Sequence, residues 1–401
     1  LLTVSISSKC PPPASVPLWR DYRTTIMSGR IFNDLMMLLP EQVMRLDVWK
    51  HRFRNVMQPS SLALGVAFVI GGVLLLGFGE DPIAAYSAML RGAFGSRFAI
   101  GETLARAAPL ALVGFGAAVA LRAGLVTLGA QGQVMTGAIG ALLTALMFED
   151  APSAIALPAA AIGGAVFGMA WALLPAVLRA YWRVNEILST LLFTEFAFLL
   201  LKYLLNDPLK PPRAITPQSV EFPENASLGL VLGGTRFHYG ILIVPVACLG
   251  FAWWIRSTRG FEYDLYGENS VLAKGLGVSE RRVIVSSLLI SGATAGLVGW
   301  IQVAGLLNRV YVQIAAEIGF FGLVVAFLGG ARPLGVLAAA VLFGALQSGG
   351  LSMQSAEGIP ASLSDIIQAV ILLGFSVRYA PQIANLFDCI ADRMMPSRRT
   401  N

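Results

Sequence analysis

Charge is what this sequence has least of. Of 401 residues only 13% are Asp, Glu, Lys or Arg, against 56% hydrophobic, and the mean hydropathy is +0.70. Soluble domains carry about 25% charged residues, so an ordinary soluble domain is excluded and an integral membrane protein is implied. Cysteine is nearly absent: Cys10, Cys248 and Cys389 are scattered and show neither a disulfide framework nor metal spacing. Histidine is scarcer still. His51 and His238 lie far apart in the chain, and no zinc site or histidine-based catalytic constellation can be read from them. The phosphate-binding pattern G-x-x-x-x-G-K-[ST] does not occur, so no catalytic apparatus and no cofactor are expected on this chain. The net charge of +6 calls for no nucleic-acid partner, because the basic residues cluster at the ends of apolar runs.

Long apolar runs are what is present. At about 20 residues per crossing, they predict an all-α, polytopic fold of about ten transmembrane helices. The predicted spans are 62–78, 103–121, 133–148, 155–178, 187–205, 240–255, 283–304, 318–328, 334–346 and 363–377. Residues 80–101 and 206–239 read as polar segments on the outer side, the second rich in proline. Residues 1–43 contain Pro11, Pro12 and Pro13 and lack the basic start and apolar core of a signal peptide. They read as a disordered tail or as sequence upstream of the native start, with the membrane domain occupying 44–401. After Met44, an orientation with both termini cytoplasmic puts seventeen basic residues inside and seven outside, Arg106 lying within a span. The positive-inside tendency favours that orientation. Forty-two glycines suit helices packed through small residues.

One stretch breaks the apolar pattern most. Residues 256–282, RSTRGFEYDLYGENSVLAKGLGVSERR, form a charged, helix-competent segment between two spans. It is either an ordinary solvated loop or a docking element for a cytoplasmic partner. A second break, AGLVTLGAQGQVMTGAIG at 123–140, sets glycines and glutamines between two spans. Unwound backbone at membrane depth is tolerated only against protein or a water-filled cavity. Gln131 and Gln133 therefore line a path, or the stretch is a tight turn at the surface. In VNEILSTLLFTEF, Glu186, Thr190 and Thr194 recur every four residues and share one helix face. Glu186 reads as a helix-terminal group. Glu195 lies well inside the span, and a carboxylate there marks a functional site or a structural ion pair. SGATAG at 291–296 is a small-xxx-small packing pattern, and Gln302 and Asn308 follow as candidate entrance groups. FGAAVAL at 115–121 is echoed by FGLVVAF at 321–327.

Five stretches, in order, carry a resemblance: AGLVTLGAQGQ at 123–133, VNEILSTLLF at 184–193, GENSVLAKGLGV at 267–278, LISGATAGLVGWIQVAG at 289–305 and GFFGLVVAFLGGARPLGVLAAAVLFGAL at 319–346. They resemble the permease subunits of bacterial ABC importers for simple sugars, nucleosides and branched-chain amino acids, with the nucleoside-type branch closest. The resemblance implies a permease in the bacterial cytoplasmic (inner) membrane that pairs with a second permease subunit. It also implies two cytoplasmic ATPase subunits that use ATP and Mg, and a solute-binding receptor outside. In that scheme 267–278 is the coupling segment, with Gly267, Glu268, Asn269, Ala273, Lys274, Gly275 and Gly277 at the ATPase contact. Small Ala273 and Gly275 would allow close approach, and Glu268 and Lys274 would pair at the rim. The expected substrate path comprises Gln131, Gln133, Thr190, Thr194, Glu195, Gln302 and Asn308. The chain departs from the family's pattern at 127–133 and at Thr194 and Glu195, which leaves the substrate open between a nucleoside, the first choice, and a simple sugar. A self-sufficient, ion-coupled transporter with Glu195 as proton carrier is the competing class.

Overall fold

The computed structural model describes residues 68–370 apart from 213, 232–235, 316, 317, 361, 364 and 368. The N-terminal extension lies outside these residues, as do the start of the first predicted span and the end of the last. What is described is helical. In chain order the helices are α1 (Phe68–Gly77), α2 (Pro82–Phe94), α3 (Arg97–Arg122), α4 (Ala130–Met147), α5 (Ser153–Trp182) and α6 (Glu186–Asn206). There follow α7 (Ile243–Ile255), α8 (Thr258–Glu268), α9 (Ser270–Gly275), α10 (Glu280–Gln302), α11 (Ile318–Leu328) and α12 (Pro333–Glu357). Among the described residues five are long and apolar enough to cross a membrane: α3, α5, α6, α12 and α10 with its extension to Leu307. A sixth crossing results if α7 and α8, bent by 72°, count as one broken span.

Small residues set how closely the bundle packs. α4, α5 and α10 meet along glycines: a methyl group on Gly296 would overlap the Gly164 carbonyl, and one on Gly137 would overlap Gly296. Gly292 faces the Gly168 carbonyl and Ala172 in the same way. The SGATAG motif is therefore a packing seam, as its spacing predicts. α3 runs through the middle, buried from Ala107 to Ala120, and touches α10, α11, α12 and α2. The echoed segments lie in α3 and α11, which approach through Gly114 and Gly322.

Three regions differ from expectation. Residues 80–101 are not simply a polar outer segment. Asp81 caps α2, accepting from the Ile83 amide at 2.8 Å, and Pro82 starts the helix. Ala85, Ala88, Met89 and Ala93 then form one apolar face, buried against α12. The break at 123–140 is shorter than it reads, because α4 already starts at Ala130 and only the preceding few residues are non-helical. The span at 334–346 extends to Glu357, since Gln347, Ser348 and Ser352 sit on a helix that packs against α2.

The segment after α6 is a strap laid over one end of α10. Its Phe222 amide donates to Asn308 O (2.8 Å), Leu228 N to Ala304 O (2.7 Å), and Ser219 N to Val310 O (3.0 Å). Asn225 donates to the carbonyls of Phe148, Glu149 and Ala151, closing the strap over the α4–α5 turn.

Candidate functional site

The chain carries two unusual places, at opposite ends of the same helices. At one end, α8 and α9 form a helix pair hinged at Asn269. The Asn269 side chain accepts from the Val271 and Leu272 amides at 3.1 and 3.0 Å and so starts α9. The pair is fastened to the bundle at several points. Arg122, at the end of α3, pairs with Asp264 of α8. Tyr263 is buried and bonds Ser286 of α10. Glu280, the first residue of α10, accepts from Tyr266 (3.1 Å) and from Lys274 (2.6 Å). The Lys274 bond holds the Glu280 carboxyl below its ordinary range, while burial and Glu280 push the Tyr266 phenol up to about 12. Nearby, Arg179 pairs with Glu186 at 3.2 Å and Arg281 stacks on Tyr181.

Against this geometry the expected coupling residues divide. Lys274 pairs with Glu280 rather than Glu268, because the start of α10 folds back beneath α9. Ala273 is fully buried by the chain's own packing, so its small size serves the interior. Gly267 is pressed against the Arg122 carbonyl, where a side chain would not fit. Gly277 has φ +88 and makes the turn into α10. Glu268, Asn269 and Gly275 are exposed, and a Cβ on Gly275 would meet nothing within 4 Å. The outward surface is instead apolar: Val271 (79% exposed), Leu272, Leu276 and Phe261 stand free. In the sequence these are visible as large apolar side chains within a charged stretch.

At the other end lies a cavity of about 760 Å³ between α3, α10, α11 and α12. Gln302 lines it, as do Gln313, Gln347 and Gln354. Glu102 on its wall accepts from Arg106 at 2.8 Å and from Arg236 at 3.5 Å. Pro109, Leu110, Phe321, Phe343 and Leu346 give it apolar surface. After Gln302 the helix widens into a π-type turn, Val303–Leu307, whose Leu306 and Leu307 also line the cavity. Gln302 stands 22 residues beyond Glu280 on α10, a rise of about 33 Å. The sequence offered Glu102 and Arg106 as an i,i+4 pair inside an apolar run. Gln347 could be found only once the last long helix was known to continue past Leu346.

The other expected path residues are not in this cavity. Asn308 closes the π-type turn at φ +53 and bonds the strap. Thr190 and Thr194 stack along α6 and reach the 127–130 segment, Thr190 accepting from the Leu128 amide (3.2 Å) and Thr194 donating to Leu128 O (3.3 Å). Gln133 lies against this cluster, 1% exposed, its Oε1 without a hydrogen-bond partner among the described residues; here it lines nothing open. Gln131, half-buried, abuts Gly319 of α11. Glu195 faces outward on α6 beside Leu191, Leu192, Phe196 and Leu199. Asn185 caps α6, and Glu186 is tied to Arg179 as a helix-terminal group.

His238, which the sequence left without a role, is 2% exposed beneath the strap against Gly305. Its Nδ1 has no hydrogen-bond partner among the described residues, and burial lowers its pKa to about 4.

Apolar helices long enough to span, a surface helix pair presenting apolar side chains, and a polar recess at the far end define a multi-pass membrane protein of the transporter type. The chain belongs to the family described as branched-chain amino acid transport system / permease component, whose profile matches residues 99–376. It is similar to the glucose ABC transporter permease protein of Haloferax volcanii, 36% identical over 78% of this chain and 85% of that protein. The guanosine ABC transporter permease protein of Bacillus subtilis is 33% identical over 80% of this chain and 92% of its own length. The nucleoside ABC transporter permease protein of Lactococcus lactis is 31% identical over 83% and 94%. No solved structure matches the chain.

Proposed function

We propose that this chain is the permease subunit of an ATP-driven importer for a small polar solute, a nucleoside first and a simple sugar second. The observation that carries the mechanism is the α8–α9 pair: its tip is apolar and exposed while its base is fastened to α3 and α10. A soluble ATPase that seats Val271, Leu272 and Leu276 in a groove would bury apolar area and hold the pair. Because Arg122–Asp264 and Tyr263–Ser286 tie the pair to α3 and α10, displacing it moves both helices. Both helices also wall the cavity, so ATPase closure would reach the solute path without any contact to the solute. ATP and Mg belong to the ATPase, and a receptor outside the membrane would deliver the solute.

The outward face of α6 supports a second permease. Glu195 lies nine residues beyond Glu186, about 14 Å along the helix, and a carboxylate left in lipid there would cost roughly 2.5–3.5 kcal/mol. A partner subunit covering that face removes the cost and puts Glu195 at the seam between the two chains. The full fold is a ten-span permease with both termini on the ATPase side of the cytoplasmic membrane. Copurification with an ATPase, followed by ATP-dependent nucleoside uptake in vesicles, tests the proposal. Ion-gradient-driven uptake by this chain alone would overturn it in favour of a secondary transporter.

A further inference from the structure

We infer that the cavity between α3, α10, α11 and α12 is a binding site, held within this single chain, for an uncharged nucleoside in transit. The inference rests on the importer reading and adds where and by what chemistry the solute is held. Among the described residues the lining carries Arg106 and Arg236 against Glu102 and Asp365, two charges of each sign. Both guanidiniums are already turned on Glu102. A phosphate or an amino-acid carboxylate would compete with Glu102 for the same two guanidiniums; a neutral solute would not.

The remaining polar groups suit a nucleobase. Four glutamines line the cavity, with Gln302 and Gln347 half-buried in its wall and Gln313 and Gln354 exposed at its rim. An amide presents a donor and an acceptor side by side, the pattern that pairs with the edge of a purine. Phe321, half-buried in the wall and backed by the buried Phe343 at 5.6 Å between ring centroids, supplies aromatic surface on which a planar base can stack. The volume of about 760 Å³ lies in the range of small-molecule sites, roughly 300–1,000 Å³.

Two breaks in helical bonding fall on this wall. Pro109 has no amide hydrogen, so the Ala105 carbonyl one turn earlier lacks its helical donor, and both residues line the cavity. The π-type turn after Gln302 is the second, and such turns concentrate at functional sites. A carbonyl without its donor is an acceptor available to a ribose hydroxyl or an exocyclic amine.

The test uses this chain assembled with its partner permease and ATPase in proteoliposomes, photolysed with tritiated 8-azidoadenosine and mapped by mass spectrometry. Labelling is expected on peptides covering 298–323 or 339–355, protected by excess unlabelled adenosine or guanosine and not by glucose. Gln347→Leu is expected to lower incorporation at least about tenfold, the loss typical when a hydrogen-bonding site is stripped of a partner. Should that variant fail to assemble with its partners, Gln302→Ala is read the same way. Label confined to α6 or elsewhere, with ATP-dependent nucleoside uptake intact, overturns the cavity site but leaves the importer reading standing. Protection by glucose as strong as by adenosine overturns the base-specific part. Absence of ATP-dependent uptake of either solute by the assembled complex overturns the importer reading itself, and the cavity site with it.

Discussion

α3 and α6 are equally convincing membrane spans by composition, yet 78% of the apolar stretch of α3 is buried against 28% of that of α6. The difference lies in where small residues fall. α3 presents Ala107, Ala108, Gly114, Gly116, Ala117 and Ala118 around its circumference, so helices approach it from several sides. On α6 the small and polar residues Ser189, Thr190, Thr194 and Ala197 keep to one stripe, which meets α4 and α5. Its other side carries Leu188, Leu191, Leu192, Phe196 and Leu199 outward, with Glu195 among them. Apolarity identifies a span; the distribution of small residues tells what the span faces.

The sharpest way to break this contrast is to add bulk on each side of it. Gly296→Leu places a branched side chain against the backbone of α5, where overpacking should cost about 3 kcal/mol or more. Loss of a monodisperse peak in fluorescence-detected gel filtration is the expected result. Leu192→Trp, on the outward face of α6, should leave the chain's own folding unchanged in the same assay. Equal damage from both would mean that α6 is as enclosed as α10.

Titratable groups extend the comparison. His238 is sealed and its pKa falls from 6.5 to about 4. Between those values the unfolded chain binds more protons than the folded one, so stability is complete above pH 6.5 and falls on acidification toward pH 4. The loss over that window amounts to at most about 3 kcal/mol. Thermal unfolding followed from pH 7 to pH 4 should show the decline, and His238→Gln should flatten it. Glu195 stands on the open side, and in detergent solution, where water reaches that face, Glu195→Gln should change the chain's own stability by less than about 0.5 kcal/mol, as for a surface substitution. Uptake by the assembled complex, or its pH dependence, should nevertheless change. Unaltered uptake at every pH would leave Glu195 without a part in transport.

Much of this was legible in one dimension. The predicted span 318–328 coincides with α11, and those at 103–121, 133–148, 155–178 and 187–205 fall within the helices observed, apart from Phe148, which closes α4. Apolar length is a local property, which is why it reads well. The surface helix was legible too, as polarity between two spans. Which of its residues stay open was not, because Ala273 and Gly275 look alike in sequence although one is buried by the chain and the other is open. The partner of Lys274, Glu280, lies in the same charged stretch, but it is the first residue of the next helix and only the fold brings it back to Lys274. The path residues were the least legible. Gln302 and Gln133 are both glutamines in apolar surroundings, yet only the fold tells that one reaches a cavity and the other is sealed.

The central claim is that the α8–α9 pair is the lever between ATP hydrolysis and the membrane helices. A Cβ at Gly275 meets nothing within 4 Å, so a side chain added there starts into open space and away from the packing of this chain. The decisive measurement is solute transported per ATP hydrolysed by the reconstituted complex carrying Gly275→Trp, with the exposed rim change Glu268→Ala as reference. The account predicts that Gly275→Trp abolishes coupled uptake while receptor binding persists, and that Glu268→Ala stays close to the parent, since rim charges contribute only about 0–1 kcal/mol. Transport per ATP equal to the parent in Gly275→Trp would contradict it.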